Sequence, residues 1–212
     1  MKPLTEHTGY GVALRRGDVD TDQIIAAEYC KRLTKSGYAD VLFAEWRKDP
    51  AFVLNRPAGS DASILVAGHN FGTGSSREHA VWALRDWGFA VVIASSFGDI
   101  FRRNAFKNGL LAVELPVPVV SGLADRVDAE PHAEITVDLA GLEVRSGGLR
   151  HPFTVEARAR QLLLEGLDEI AVTSAQDHAI TTYERSREEW LPSVPVTPLR
   201  PVRPATVEGR PV

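Results

Sequence analysis

The sequence predicts an α/β fold, in which a mostly parallel sheet carries flanking helices and a small antiparallel β unit. Three observations lead to this prediction. Between residues 63 and 115, short apolar runs alternate with segments of helical periodicity, as in parallel strands joined by crossover helices. Residues 134–155 instead alternate apolar and polar positions around glycine turns, which is typical of half-buried antiparallel strands. Proline accumulates after residue 190, which indicates where the compact part ends.

Four apolar runs predict the parallel part of the sheet: residues 9–14, 63–68, 90–94 and 110–115. Helices are predicted between the last three runs, over residues 76–87 and 100–107. In the first of these helices, Ala80, Ala83 and Leu84 fall on one face. A further helix is predicted earlier in the chain, over residues 38–47.

Three aspartates, Asp18, Asp20 and Asp22, alternate in the segment that follows the first strand. Carboxylates at alternate positions also occur in calcium loops, but the glycine and the distal glutamate of an EF-hand are missing. A turn-forming and capping role is therefore favoured, with Asp20 or Thr21 at the start of a short helical turn.

The C-terminal half is predicted to carry strands at 134–139, 142–144 and 153–155, and helices at 158–167 and 175–190. Residues 117–128 leave helix and loop both open. One domain is expected over residues 1–190, followed by an extended and largely disordered tail over 191–212. The tail is marked by its prolines: Pro192, Pro195, Pro198, Pro201, Pro204 and Pro211.

The composition is that of a globular protein, with 212 residues, 44% hydrophobic and 25% charged. A net charge of -4 argues against a general nucleic-acid partner. The apolar runs are too short to span a bilayer, and the first residues lack the apolar core of a secretory signal. The single cysteine, Cys30, fits a reducing compartment, so we expect a cytoplasmic protein. One thiol also excludes binding an iron–sulfur cluster through several thiolates of this chain alone.

The most informative stretch is residues 72–79, where two glycines, two serines and an arginine lie between a predicted strand and a predicted helix. Amides at a helix start lack intrahelical partners and, with the helix dipole, attract anions. Arg77 adds a planar donor fork suited to a carboxylate or phosphate. The sequence thus predicts an anion site that contains the hydroxyls of Ser75 and Ser76.

A structural alternative exists for the same residues. Ser75 and Glu78 have the spacing of a capping box, so the serine hydroxyl has a possible role in the helix start alone. The two glycines also fit a purely conformational role in the turn. The residues by themselves leave both interpretations open.

With these residues identified, the chain resembles the small subunits of bacterial 3-isopropylmalate dehydratases, which belong to the aconitase superfamily. Two blocks carry the resemblance. The first covers residues 19–25, the 37–46 segment and residues 49–55, and the second runs from residue 71 to 84 and through 96–101. The string Gly-Ser-Ser-Arg-Glu-His after a strand is specific to this superfamily.

The resemblance implies a swivelling β/β/α domain that docks on a separate large subunit. That partner would hold a 4Fe–4S cluster, and this chain would bind no metal. Ser75 would be the base that removes the proton next to a carboxylate, and Ser76 and Arg77 would bind the substrate carboxylate. The implied reaction isomerises 2-isopropylmalate and 3-isopropylmalate in leucine biosynthesis.

The family's flexible specificity loop corresponds here to seven consecutive residues: Glu28, Tyr29, Cys30, Lys31, Arg32, Leu33 and Thr34. The family usually has proline and leucine where this chain has Ala26 and Cys30. Two alternatives therefore stay open: the small subunit of a related dehydratase, such as homoaconitase or 2,3-dimethylmalate dehydratase, and a non-catalytic carboxylate-binding module.

Overall fold

The computed structural model describes residues 1–188 and 190–192. The chain divides into two compact units, the first covering Met1–Thr173 and the second beginning at Ser174. The first unit contains the whole sheet, and the described part of the second contains one helix. The predicted tail lies outside the described residues except for residues 191 and 192.

The seven strands are β1 (Glu6–Leu14), β2 (Ala62–Ala67), β3 (Val91–Ala94), β4 (Leu111–Glu114), β5 (Glu134–Asp138), β6 (Glu143–Ser146) and β7 (Leu149–Pro152). The eight α-helices of the described residues are α1 (Thr21–Ile24), α2 (Pro57–Ser60), α3 (Glu78–Trp87), α4 (Asp99–Lys107), α5 (Val117–Ala129), α6 (Ala157–Glu165), α7 (Glu169–Ser174) and α8 (Asp177–Ser186).

All seven strands belong to one sheet in the order β4-β3-β2-β1-β5-β6-β7. The pairs β1–β2, β2–β3 and β3–β4 are parallel. The pairs β1–β5, β5–β6 and β6–β7 are antiparallel. The predicted α/β class is confirmed, and the small antiparallel unit continues the parallel sheet through β1.

The two faces of the sheet bury separate apolar layers because successive strand residues point to opposite sides. In β2, Leu65 and Ala67 contribute to the layer that contains α3 and α4, whereas Ile64 and Val66 contribute to the layer that contains α5 and α6. Since β2 is buried on both faces, its sequence is a continuous apolar run without alternation.

The predicted helix over residues 38–47 is wrong. The structure has two short 3-10 turns there, Ala39–Val41 and Trp46–Lys48. Between them Phe43 adopts a φ of 48°, donates its backbone N–H to Ile24 O at 2.9 Å and stacks on the ring of Trp46. Tyr38, Val41, Leu42 and Phe43 of this segment are buried, so the spacing of these apolar residues imitates helical periodicity without a helix.

Further elements differ from the predictions in position. The last antiparallel strand is β7, not residues 153–155, because Gly147 and Gly148 form a two-residue hairpin turn directly after β6. The predicted helix 175–190 is limited to α8. Residues 117–128, left open by the sequence, lie within α5, with Pro118 in its first turn. No helix among the described residues is long and apolar enough to cross a membrane.

Gly72 provides a test of how the loop after β2 packs. Its φ is 74°, and an added Cβ would lie 2.2 Å from Cγ of the buried Phe101. We expect Gly72→Ala to lower the free energy of unfolding by about 2–4 kcal/mol, since backbone strain and overpacking add. Chemical denaturation measures this loss.

Gly122→Ala is the matched control. Gly122 lies inside α5 with open space around it, so alanine should raise the free energy of unfolding by about 0.5–1 kcal/mol through helix propensity. Equal stability of the two variants would contradict the packing described for Gly72.

Candidate active site

Two segments far apart in the sequence are joined by backbone hydrogen bonds at the site. The N–H groups of Gly72 and Thr73 donate to Val19 O at 2.7 and 3.2 Å, and Thr21 N donates to Thr73 O at 3.0 Å. Asp20 and Thr73 consequently form an isolated parallel bridge. This pairing places the start of α1 beside the loop that leads into α3.

Ser75 does not cap α3. The helix begins at Glu78 with Arg77 as its N-cap residue, and no side chain caps it. Glu78 instead accepts a hydrogen bond at 2.6 Å from Nδ2 of Asn108. The capping-box alternative is therefore wrong, and Ser75 and Ser76 are both exposed. Their hydroxyls lie just before the helix start, where unpaired amides favour negative charge.

Thr21, in the segment that pairs with the loop before α3, forms a hydrogen bond to Ser75. The side chain of Thr21 is 2% exposed, and its Oγ1 donates to the backbone carbonyl of Ser75 at 2.8 Å. The same Oγ1 lies 3.4 Å from Oγ of Ser75. From the sequence alone, Thr21 is predicted only as a candidate helix cap. Asp20 has that role, with a reciprocal pair of hydrogen bonds to Gln23.

Arg77 forms an ion pair with Asp22. The Arg77 side chain is 19% exposed, whereas the Asp22 side chain is 56% exposed. Nη1 of Arg77 is buried. It contacts Oδ1 of Asp22 but does not have the geometry of a hydrogen bond. The contact with Asp22 raises the pKa of the Arg77 guanidinium. The predicted anion-binding arginine thus already faces a carboxylate of this chain.

The predicted specificity loop has two parts in the structure. Residues up to Lys31 form a 3-10 turn, Ala27–Lys31, in which Cys30 lies near the Arg77–Asp22 pair. Burial raises the pKa of the Cys30 thiol, the charge of Arg77 lowers it and the charge of Asp22 raises it. The thiol is consequently protonated at neutral pH.

The second part of the loop contacts other residues. Arg32 forms two hydrogen bonds of 2.9 Å with the carboxylate of Asp40, and Tyr38 donates its hydroxyl to Thr34 O at 2.8 Å. Leu33, between them, is fully exposed. Glu28 and Lys31 are also exposed.

The three alternating aspartates have separate partners within the chain. Asp20 caps α1, and Asp22 pairs with Arg77. Asp18 accepts a hydrogen bond of 2.8 Å from Nδ2 of Asn70 and lies 3.1 Å from Nε2 of His69. In the described part of the chain, no group of three or more His, Cys, Asp or Glu side chains is arranged to hold a metal ion.

The rate at which Cys30 is alkylated tests the arrangement of the site in this chain alone, without a partner subunit. It is the sole thiol of the sequence, and the thiolate is the form that reacts with iodoacetamide. Asp22→Asn removes a charge that raises the thiol pKa, so alkylation at pH 8 should become faster. Arg77→Gln removes a charge that lowers it, so alkylation should become slower.

The matched control is Arg85→Gln, which changes the same charge at the last turn of α3, at the other end of the helix. Its alkylation rate should equal that of the unaltered chain. The same rate in all three variants would contradict the placement of Cys30 beside Arg77 and Asp22.

Comparison with known proteins shows the family. A model of the aconitase C-terminal domain matches residues 1–118. The 3-isopropylmalate dehydratase small subunit of Acidothermus cellulolyticus is 55% identical over 193 residues, covering 91% of this chain and 98% of the relative. The corresponding subunit of Frankia alni is 54% identical over 193 residues, covering 91% and 99%.

A solved structure agrees with these sequence matches. The 3-isopropylmalate dehydratase of Methanocaldococcus jannaschii superimposes with a TM-score of 0.63 at 25% identity, covering 84% of this chain and 98% of that chain. The resemblance predicted from the two sequence blocks is confirmed. The chain belongs to the 3-isopropylmalate dehydratase small-subunit family of the aconitase superfamily.

Proposed function

We propose that this chain is the small subunit of a 3-isopropylmalate dehydratase, a hydro-lyase that interconverts 2-isopropylmalate and 3-isopropylmalate in leucine biosynthesis. Its relatives over nearly the full chain support the reaction and the substrate. The observation that carries the proposal is the position of Ser75, which is exposed two residues before Arg77 and does not cap α3. A hydroxyl that is not used for capping is available to a reacting molecule.

The reaction is divided between two chains in this proposal. The one cysteine of the sequence does not match the several thiolates that hold an iron–sulfur cluster, so the cluster is assigned to a large subunit. Bound there, a 4Fe–4S cluster supplies Lewis-acid assistance to the departing hydroxyl. The exposure of Ser75 and Ser76 supports the same division, because the partner surface would cover them and exclude water.

Ser75 acts as the base. It takes the proton from the carbon next to a substrate carboxylate, the hydroxyl leaves from the neighbouring carbon, and water later returns to the other carbon. A serine hydroxyl is a weak acid, so its deprotonated form needs positive potential. The helix start and the guanidinium of Arg77 supply that potential at this position.

Ser76 and Arg77 bind the carboxylate beside the reacting carbon. A carboxylate accepts two parallel hydrogen bonds from a guanidinium, and negative charge on it grows as the proton leaves. Asp22 holds Arg77 in this chain, and the substrate carboxylate would exchange with it or share the guanidinium. The nearby loop over residues 28–34 would select the substrate side chain, with the exposed Leu33 suited to an isopropyl group.

The base assignment predicts the outcome of Ser75→Ala. In the complex of both subunits, assayed anaerobically, turnover should fall about 10³-fold or more, since the variant has no group to accept the proton. Size-exclusion chromatography should show unchanged assembly, because the change removes one side-chain oxygen and leaves the backbone contacts of the loop in place.

Ser121→Ala is the control, since Ser121 is an exposed residue of α5, and it should keep full turnover. The chain without its partner should be inactive. Near-normal turnover of Ser75→Ala would refute the base, and full activity of the isolated chain would refute the division between two subunits.

Arg77→Lys tests carboxylate binding. Lysine keeps the charge but loses the planar fork, so KM for isopropylmalate should rise about 10-fold to 100-fold in the complex. Steady-state kinetics measures the change, with Arg85→Lys as the control on the same helix. A KM within twofold of the unaltered enzyme would remove Arg77 from the substrate site.

A further inference from the structure

We infer that Thr21 is a positioning residue for Ser75: its buried hydroxyl holds the backbone of the base and donates a hydrogen bond to the Ser75 side chain when the Ser75 proton is lost. The inference deepens the proposed function and rests on Ser75 being the base. It is carried by the position of Thr21 Oγ1, which lies 2.8 Å from Ser75 O and 3.4 Å from Ser75 Oγ.

The hydrogen-bonding capacity of the threonine hydroxyl explains this role. A hydroxyl has one donor and two acceptor lone pairs. In the structure the donor of Thr21 points to the carbonyl of Ser75, which leaves the lone pairs to face the Ser75 hydroxyl. A distance of 3.4 Å is long for a hydrogen bond between two hydroxyls, so a change in the Ser75 side-chain rotamer would have to shorten it during the reaction.

Loss of the Ser75 proton reverses the direction of this contact. An alkoxide is a stronger acceptor than a neutral carbonyl, and hydrogen bonds to ionised groups are about twice as strong as neutral ones. The Thr21 hydrogen would therefore turn from the carbonyl to Oγ of Ser75 by rotation of the hydroxyl alone. No heavy atom of Thr21 has to move, so the reorganisation cost is small.

The surroundings of Thr21 keep its hydroxyl in place. The residue is 2% exposed and is the first residue of α1, directly after the N-cap residue Asp20. Its backbone N–H donates to Thr73 O at 3.0 Å, in the same loop as Ser75. Its neighbours Ile24 and Ile25 are fully buried. A β-branched side chain on a fixed backbone has few alternative rotamers.

The experiment compares Thr21→Val with Thr21→Ser in the complex of both subunits. Valine keeps the branched shape without the hydroxyl, and serine keeps the hydroxyl. Valine should lower kcat about 10-fold to 100-fold with KM within about twofold, and serine should restore most of kcat. Substrate deuterated at the carbon that loses its proton should show a larger isotope effect on kcat/KM with the valine variant.

The isotope effect distinguishes a positioning role of Thr21 from a structural one, because a loss of folded enzyme lowers the rate but leaves the isotope effect unchanged. Thr136→Val, on β5, is the control for the loss of a threonine hydroxyl elsewhere in the fold and should match the unaltered enzyme. If the valine variant does not assemble, Thr21→Ala replaces it in the same comparison. Any of three results would overturn the inference: a kcat of Thr21→Ser as low as that of Thr21→Val, an unchanged isotope effect in Thr21→Val, or a normal kcat in Thr21→Val.

Failure of this inference differs from failure of the proposed function. If Ser75→Ala abolishes turnover and Thr21→Val does not affect the isotope effect, Ser75 stays the base and only the role of Thr21 is lost. If Ser75→Ala retains turnover, the base assignment itself is wrong.

Discussion

The candidate site depends on the backbone hydrogen bonds between residues 19–21 and residues 72–73. These bonds join the start of α1 to the loop before α3 across about fifty residues of sequence. Thr21 and Asp22 reach Ser75 and Arg77 only because of this pairing. Backbone bonds are independent of side-chain identity, so the frame of the site tolerates changes in the reacting groups that it holds.

The charges around the site are balanced within the chain before any substrate arrives. Arg77 and the start of α3 contribute positive potential, and the carboxylate of Asp22 offsets part of it. The Cys30 thiol is kept protonated by burial and by Asp22, so it adds no further negative charge. If Arg77 binds a substrate carboxylate as proposed, its position is already set, which would lower the entropic cost of binding.

The sequence predicted much of the fold and the centre of the site, but not the contacts between distant segments. The loop over residues 72–79 was recognisable because glycines, serines and an arginine follow a continuous apolar run. The contact of Thr21 with Ser75 crosses 54 residues, and no local pattern records it. Residues 38–47 were predicted as a helix because the spacing of their buried apolar residues imitates that of a helix. The predicted roles of Ser75, Ser76 and Arg77, and of the loop over residues 28–34, stay predictions.

The place of β1 in the sheet has a consequence for the synthesis of the protein. Of the seven strands, β1 is synthesised before the others, yet it pairs with β2 on one edge and with β5 on the other. Its second edge stays without a partner until residue 138 has been translated. The sheet is therefore completed late in translation, and the unpaired edge of β1 is the edge that a chaperone would have to shield during this interval.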